Sequence, residues 1–468
     1  MLLPLLAAVA SSSGHAQWWL SARGWGVLGG TLGFAGLAGL VALGVGWALA
    51  RAGVAWVAVA AVPLVLPASL VGTAWIAALG RTGPLGDWLT AFDPPVAAAI
   101  VGLRHAGLAG LVLLLGSPPP DAAAAVYRPR GGWFWLGVLP RWRVWLAAWA
   151  VAALVAAAEP ILPGMLLVHT YATRVTVQAN ALLDPGGAVA VALPMVAVGA
   201  LAAWLVPRGL PLDADAQRPA SGCARPSRGK LLGTAALLLT AGVPLVALAA
   251  RTGDPASVAA AWSAARGDAA FTLGLALTAG PLAAALGWVL GAAWHAGSSL
   301  APWAAVLLVT PATVLGLGWL ELLGVWPLSL ARDGSLPLVL ATACRFAPAA
   351  AVAVLLARRL RAEAPLDAAR LMVPGRWRRL RWVGWPAARA AVLGAGALSV
   401  ALATTELDLA VLLAPSGRGT LGVRLYGLIH TAPDAEVAAA ALASLALLLP
   451  LAAVPAAVWL FARRGRHA

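Results

Sequence analysis

Ionisable side chains interrupt long apolar runs at Arg104, Glu159, Glu321, Arg345, Glu406 and Asp408. A charge at the centre of a membrane helix costs about 2.5–3.5 kcal/mol on insertion scales, so such groups tend to have partners and functions. Arg104 lies near the middle of the fourth predicted helix, and Arg345 holds the equivalent place later in the chain. Glu159 and Glu406 fall in the outer part of the fifth helices, at similar positions after Pro140 and Pro386. The expectation is an Arg104–Glu159 and an Arg345–Glu406 ion pair close to a central pathway. Each pair has two roles open to it, a buried bridge that orients helices or a lining of the route that contacts a solute. Reversing both charges of a pair should then restore what either single reversal removes. Glu321 and Asp408 have no visible counterpart. His105 is matched by Phe346, which points to packing and not to metal binding.

Other chemistry is missing from the sequence. No Gly-x-x-x-x-Gly-Lys-Ser/Thr phosphate loop occurs; "SRGKLL" (227–232) has Leu where Ser or Thr would reach Mg²⁺. No Ser-His-Asp constellation or metal-ligand spacing appears among the 6 histidines, and Cys223 and Cys344 form no disulfide framework. The chain is therefore expected to be no enzyme, with no catalytic residue and no metal or cofactor of its own.

The elements that must position these charges are membrane helices. Of 468 residues, 62% are hydrophobic and only 10% charged, with mean hydropathy +0.88, against roughly 45–50% and 25% in soluble domains. Apolar stretches of about 20 residues, the length that crosses a bilayer, are predicted at 24–50, 54–79, 94–116, 142–168, 187–207, 231–250, 270–294, 300–326, 336–357, 387–414 and 436–462. "MLLPLLAAVA" is too short to span and is read as a clipped first helix. The net charge of +15 is unevenly spread. If the loops 51–53, 117–143, 208–230, 295–299, 358–389 and the tail 463–468 face the cytoplasm, that side holds 22 of the 32 Lys and Arg with 5 acids, and the opposite loops hold 8 of each sign. This is the positive-inside pattern of a membrane protein and not a nucleic-acid footprint.

The chain also answers itself. "TLGFAGLAG" at Thr31 matches "TLGLALTAG" at Thr272, and "PASLVGTAW" from Pro67 matches "PATVLGLGW" from Pro311. "TYATRV" from Thr170 matches "TLGVRL" from Thr420, with Asp184 and Asp434 each 14 residues on. Asp121 and Pro140 match Asp367 and Pro386 at the same separation of 19. The offsets climb slowly, through 241, 244, 246 and 250, as duplicated halves do when they gather insertions. The expected fold is all-α, a polytopic membrane protein of about 12 helices in two parallel six-helix repeats, each with an even number of crossings. The domains would be residues 1–206 and 231–468, joined by the polar, proline-rich cytoplasmic linker 207–230.

One cytoplasmic loop stands out. "DAARLMVPGRWRRLRWVGWP" (367–386) opens with Asp367, which suits a helix N-terminus. It breaks at Val373-Pro374-Gly375 and mixes Trp377, Trp382 and Trp385 with arginines. Pro386 then starts the next helix, where its missing N–H costs little. The loop resembles that of ATP-binding-cassette importer permeases, which has the form E-A-A-x3-G-x9-I-x-L-P. Asp367, Ala368 and Ala369 fill the first three positions, and Val383, Trp385 and Pro386 the last ones at the family spacing. In the first half Asp121, Ala122, Ala123, Leu139 and Pro140 do the same. Departures are Asp for Glu in both copies, Val373 and Tyr127 at the glycine position with Gly375 and Gly131 further on, and Gly137 at the isoleucine. The stretch 402–430 is most similar to the final part of iron(III)-type permeases, whose two domains are also fused. The resemblance implies the type I importer fold and coupling helices at these loops that dock two copies of a separate ATPase subunit, where ATP and Mg²⁺ are bound. It further implies a periplasmic substrate-binding protein as partner and a multi-pass location in the bacterial inner membrane. Iron(III) is the expected substrate, with thiamine, polyamines or an inorganic anion as alternatives and an ion-coupled secondary transporter as the rival class.

Overall fold

The computed structural model describes residues 22–60, 62–80, 83, 85–86, 90–115, 142–209, 227–295, 306–325, 327–359 and 372–464. Among these residues all regular structure is helical. The first part of the chain contributes α1 (Ala22–Ala52), α2 (Ala68–Leu79), α3 (Pro94–Leu115), α4 (Trp142–Ala158), α5 (Tyr171–Asn180) and α6 (Pro185–Gly209). Then follow α7 (Ser227–Leu237) and α8 (Val243–Thr252), joined through a π-helical turn, and α9 (Pro255–His295), which is 41 residues long. The rest is α10 (Ala312–Leu323), α11 (Leu336–Arg359), α12 (Trp385–Ala403), α13 (Leu421–Thr431) and α14 (Asp434–Arg464). Six segments, Gly24–Ala52, Pro94–Leu114, Lys230–Thr252, Pro255–Ala293, Leu336–Val354 and Asp434–Leu451, are long and apolar enough to cross a bilayer. Large apolar side chains such as Leu40, Val246, Leu277, Val289 and Leu393 stay exposed on these and neighbouring helices, as a lipid-facing surface requires. This is a helical membrane protein.

Four of the expected spans are interrupted. The 54–79 run breaks into Val54–Ala60, a 3-10 turn at Val62–Val65, and α2 starting after Pro67. The 300–326 run breaks in the same way between Val306–Val309 and α10, after Pro311. Pro67 and Pro311 have nearly the same backbone angles, φ −52° with ψ 137° and φ −52° with ψ 133°. The runs at 142–168 and 387–414 stop at Ala158 and Ala403, and short helices, Ile161–Met165 and Asp408–Leu413, follow each glutamate. Proline removes a donor and clashes with the preceding turn, which gives the first two breaks their cause. Broken backbone inside a membrane must find partners within the protein.

Helices α1, α3 and α4 pack mutually, as do α9, α11 and α12. Small residues let them approach closely, the usual device where lipid supplies no hydrophobic drive. A Cβ on Gly46 would sit 2.7 Å from both Ala106 O and Gly110 N, and one on Gly287 would sit 2.8 Å from both Ala347 O and Ala351 N. Helices α5 and α13 start at threonine caps: Thr170 Oγ1 accepts from Thr173 N, and Thr420 Oγ1 accepts from Val423 N. The first N–H of each helix is taken by a threonine of a long helix, Tyr171 N by Thr31 Oγ1 at 2.8 Å and Leu421 N by Thr272 Oγ1 at 2.9 Å. The first and second parts of the chain share their cores. Tyr171, Val175 and Met195 cluster with Leu275, Val314 and Leu338, while Leu70, Trp75 and Ile100 cluster with Leu248, Leu425 and Leu445.

The loop before each of these caps turns through a left-handed residue, Leu167 at φ 59° and Gly417 at φ 77°. A side chain in that region costs roughly 1–2 kcal/mol, and Leu167 is exposed, so it gains little packing in return. Leu167→Gly is expected to stabilise the protein by about 0.5 kcal/mol, the strain relieved less the extra freedom of glycine in the unfolded chain, read as a higher unfolding midpoint in detergent. An unchanged or lower midpoint contradicts it.

Candidate functional site

Helix α3 carries Arg104 into the interior, 7% exposed, beside the broken segment that precedes α2. Its guanidinium serves three acceptors. Nε donates to Pro63 O at 3.2 Å, Nη2 donates to Leu66 O at 3.0 Å, and Nη1 bonds the Glu159 carboxylate. Both carbonyls belong to the interruption in the 54–79 run, so the arginine satisfies backbone that the missing helical turn would have satisfied. The planar fork of Arg suits this, whereas an ammonium would not reach all three. The expected charge-swap rescue changes accordingly. A glutamate at 104 cannot donate to either carbonyl, so reversing both members restores only the ion pair.

The second pair is simpler. Arg345 on α11 forms an ion pair with Glu406, with Nε 3.2 Å from Oε2. Glu406 Oε1 also accepts from Leu409 N at 3.1 Å, which secures the start of the Asp408–Leu413 helix. Arg345 Nη1 is buried without a hydrogen-bond partner. His105, 1% exposed, directs Nδ1 to Val101 O at 2.8 Å, so Nδ1 carries the proton. Its Nε2 has no hydrogen-bond partner and lies 3.9 Å from Glu159 Oε2.

The two pairs line one cavity of about 130 Å³, walled by the ends of α4 and α12 and the middles of α3 and α11. His105, Phe346 and Asp408 line it as well. Sequence reading gave His105 a packing role and Asp408 none. The chain turns at Thr404–Leu407 to bring Asp408 there, and the one signal in the sequence was a second acid two residues after Glu406. Glu321 is exposed on α10 and is not part of the cavity. Among the described residues no group of three His, Cys, Asp or Glu could hold a metal ion.

The loop residues are only partly described. Asp121, Ala122, Ala123, Leu139 and Pro140 lie outside the described residues, as do Asp367, Ala368 and Ala369. Gly375 is described with φ +88°, and its carbonyl accepts from Arg379 N at 3.1 Å, opening the short helix Arg376–Arg379. A π turn over Leu380–Gly384, which includes Val383, leads into α12, with Pro386 as its second residue. Met372, Trp377, Trp382 and Trp385 are exposed, and the Arg381 guanidinium lies 5.8 Å from the Trp382 ring. This is a basic, aromatic surface segment. Residues 1–21 and the linker core 210–226 also lie outside the described residues, while α6 and α7 reach into the expected linker as far as Gly209 and from Ser227.

Fold and cavity together define a polytopic helical membrane protein whose two arginine–glutamate pairs share one internal chamber. Comparison with protein-family models, with curated proteins and with solved structures gives no match.

Proposed function

We propose that the chain is the permease subunit of a binding-protein-dependent ATP-binding-cassette importer, with both permease domains fused in one polypeptide of two six-span repeats. The observation that carries the reading is the pair of loops at 121–140 and 367–386, which share an acid-Ala-Ala opening and a proline 19 residues on. Corresponding positions of the two repeats also share their detail: the Thr31 and Thr272 hydrogen bonds, the Gly46 and Gly287 contacts, and the Arg–Glu pairs. In this reading two ATPase subunits bind ATP and Mg²⁺ at the cytoplasmic face of the bacterial inner membrane. ATP binding draws the two loops together and opens the chamber outward, a periplasmic binding protein delivers the solute, and hydrolysis resets the inward state. Iron(III) is the substrate that the resemblance favours, with thiamine, a polyamine or an inorganic anion as alternatives.

Purification of the full chain from its native membrane tests this. A separate ATPase should co-purify and be lost when both loops are altered. In the reconstituted complex Ala369→Trp should leave ATP hydrolysis running while solute uptake collapses. Absence of any bound ATPase overturns the proposal. A secondary transporter is the second reading, favoured by the carboxylates of Glu159, Glu406 and Asp408 in one chamber. Uptake driven by an ion gradient without ATP would establish it instead.

A further inference from the structure

We propose that the chamber between the two arginine–glutamate pairs is a transit site for a positively charged solute, with Asp408 as the carboxylate that engages it; this deepens the importer reading and rests on it. Charge in the chamber does not balance. Arg104 and Arg345 are each matched by a glutamate, Glu159 and Glu406, and Asp408 is left over. No hydrogen bond or ion pair holds the Asp408 side chain among the described residues, and it is not sealed from the cavity it lines. By the sequence correspondence that pairs Glu159 with Glu406, the position of Asp408 is held in the first half by Ile161, which lines the same chamber. The extra acid is therefore no by-product of the internal repeat.

The second observation is independent of that acid. His105 Nε2 and Arg345 Nη1 are buried polar atoms without hydrogen-bond partners, and both residues line the chamber. Buried polar atoms are nearly always satisfied, so the chamber is built to be completed by a guest that brings polar atoms or its own water. An anion would meet a chamber with one carboxylate more than it has arginines and is disfavoured. Charge and hydrogen bonding select the guest.

The purified full-length chain in detergent, titrated calorimetrically with thiamine, spermidine, hexaamminecobalt(III) as a soluble trivalent cation, sulfate and molybdate, tests the inference. At least one of the cations should bind and neither oxyanion should. Asp408→Asn should weaken that binding by about 10- to 100-fold, the range for losing a hydrogen bond to a charged group. Asp408→Glu should retain most of it, and Glu321→Gln, remote from the chamber, should leave it unchanged. A normal elution profile and unfolding midpoint show that each variant is folded. Binding of an oxyanion, binding of no cation, or cation affinity indifferent to Asp408→Asn each overturns the inference. Because the titration needs no ATPase, its failure is separate from that of the importer reading, which falls only if no ATPase co-purifies.

Discussion

Arg104→Met is expected to destabilise the protein by on the order of 5 kcal/mol, and Arg345→Met by about 3 kcal/mol. The two arginines match in the sequence correspondence, so the difference comes from what each leaves behind. Removing one member of a buried ion pair costs about 3–5 kcal/mol, because the other charge stays buried without compensation. Loss of Arg345 leaves Glu406 with the Leu409 N–H still donating to it. Loss of Arg104 leaves Glu159 with His105 Nε2 at 3.9 Å as its remaining ion-pair contact among the described residues, and it also strips the donors from Pro63 O and Leu66 O. Each carbonyl left without a donor adds about 1 kcal/mol or more. Equilibrium unfolding of both variants in mixed detergent micelles measures the gap. A double variant, Arg104→Met with Glu159→Gln, should recover the part due to charge and not the part due to the carbonyls, a non-additivity that a mutant cycle reads directly. Equal destabilisation by the two arginine variants would show that the break before α2 does not depend on Arg104.

The second large effect is steric. Gly46→Leu and Gly287→Leu should each cost about 3 kcal/mol or more. At both positions the first added atom meets backbone of the facing helix, at 2.7 Å for Gly46 and 2.8 Å for Gly287. Backbone cannot move aside as a flexible side chain can, so α1 must part from α3, or α9 from α11. Gly274→Leu on α9 serves as the control, since nothing lies within 4 Å of its Cβ direction. The same unfolding measurement should show the control near the parent and the other two well below it. If all three behave alike, close helix approach at these glycines contributes little.

Much of the helical content could be read from run lengths, and the arginine–glutamate partners from the cost of lone charges in apolar runs. Their neighbours were another matter. Nothing in the sequence distinguishes Pro63 and Leu66 as carbonyls needing donors, because that need arises only where the helix stops. Prolines at 63, 67 and 311 gave warning, yet proline is tolerated in membrane helices when neighbours re-satisfy the freed groups. Helices α5 and α13 escaped notice because they are short, and α5 is also the more polar of the two. Their capping threonines, Thr170 and Thr420, were visible only as parts of a repeat. Asp408 had no sequence counterpart, and its place in the chamber depends on a turn that follows α12. The loop residues that carry the family resemblance lie mainly outside the described residues, so that part rests on spacing alone.

The length of α9 has a mechanical consequence. At 1.5 Å per residue its 41 residues extend about 62 Å, roughly twice the hydrocarbon thickness of a bilayer. Gly280 lies tight against Val400 of α12, and the neighbouring Pro281 removes one rung of backbone hydrogen bonding at that level. Nearer the other end, Arg424 of α13 grips Asp268 at 3.2 Å. A rod held at these two heights resists rotation, and one released at either amplifies it: tilting it by about 10° swings a point 30 Å from the fulcrum through about 5 Å. The same tilt about the Gly280 contact would carry Asp268, about 18 Å along the rod, through about 3 Å, so the Arg424 bridge has to part before the rod can swing.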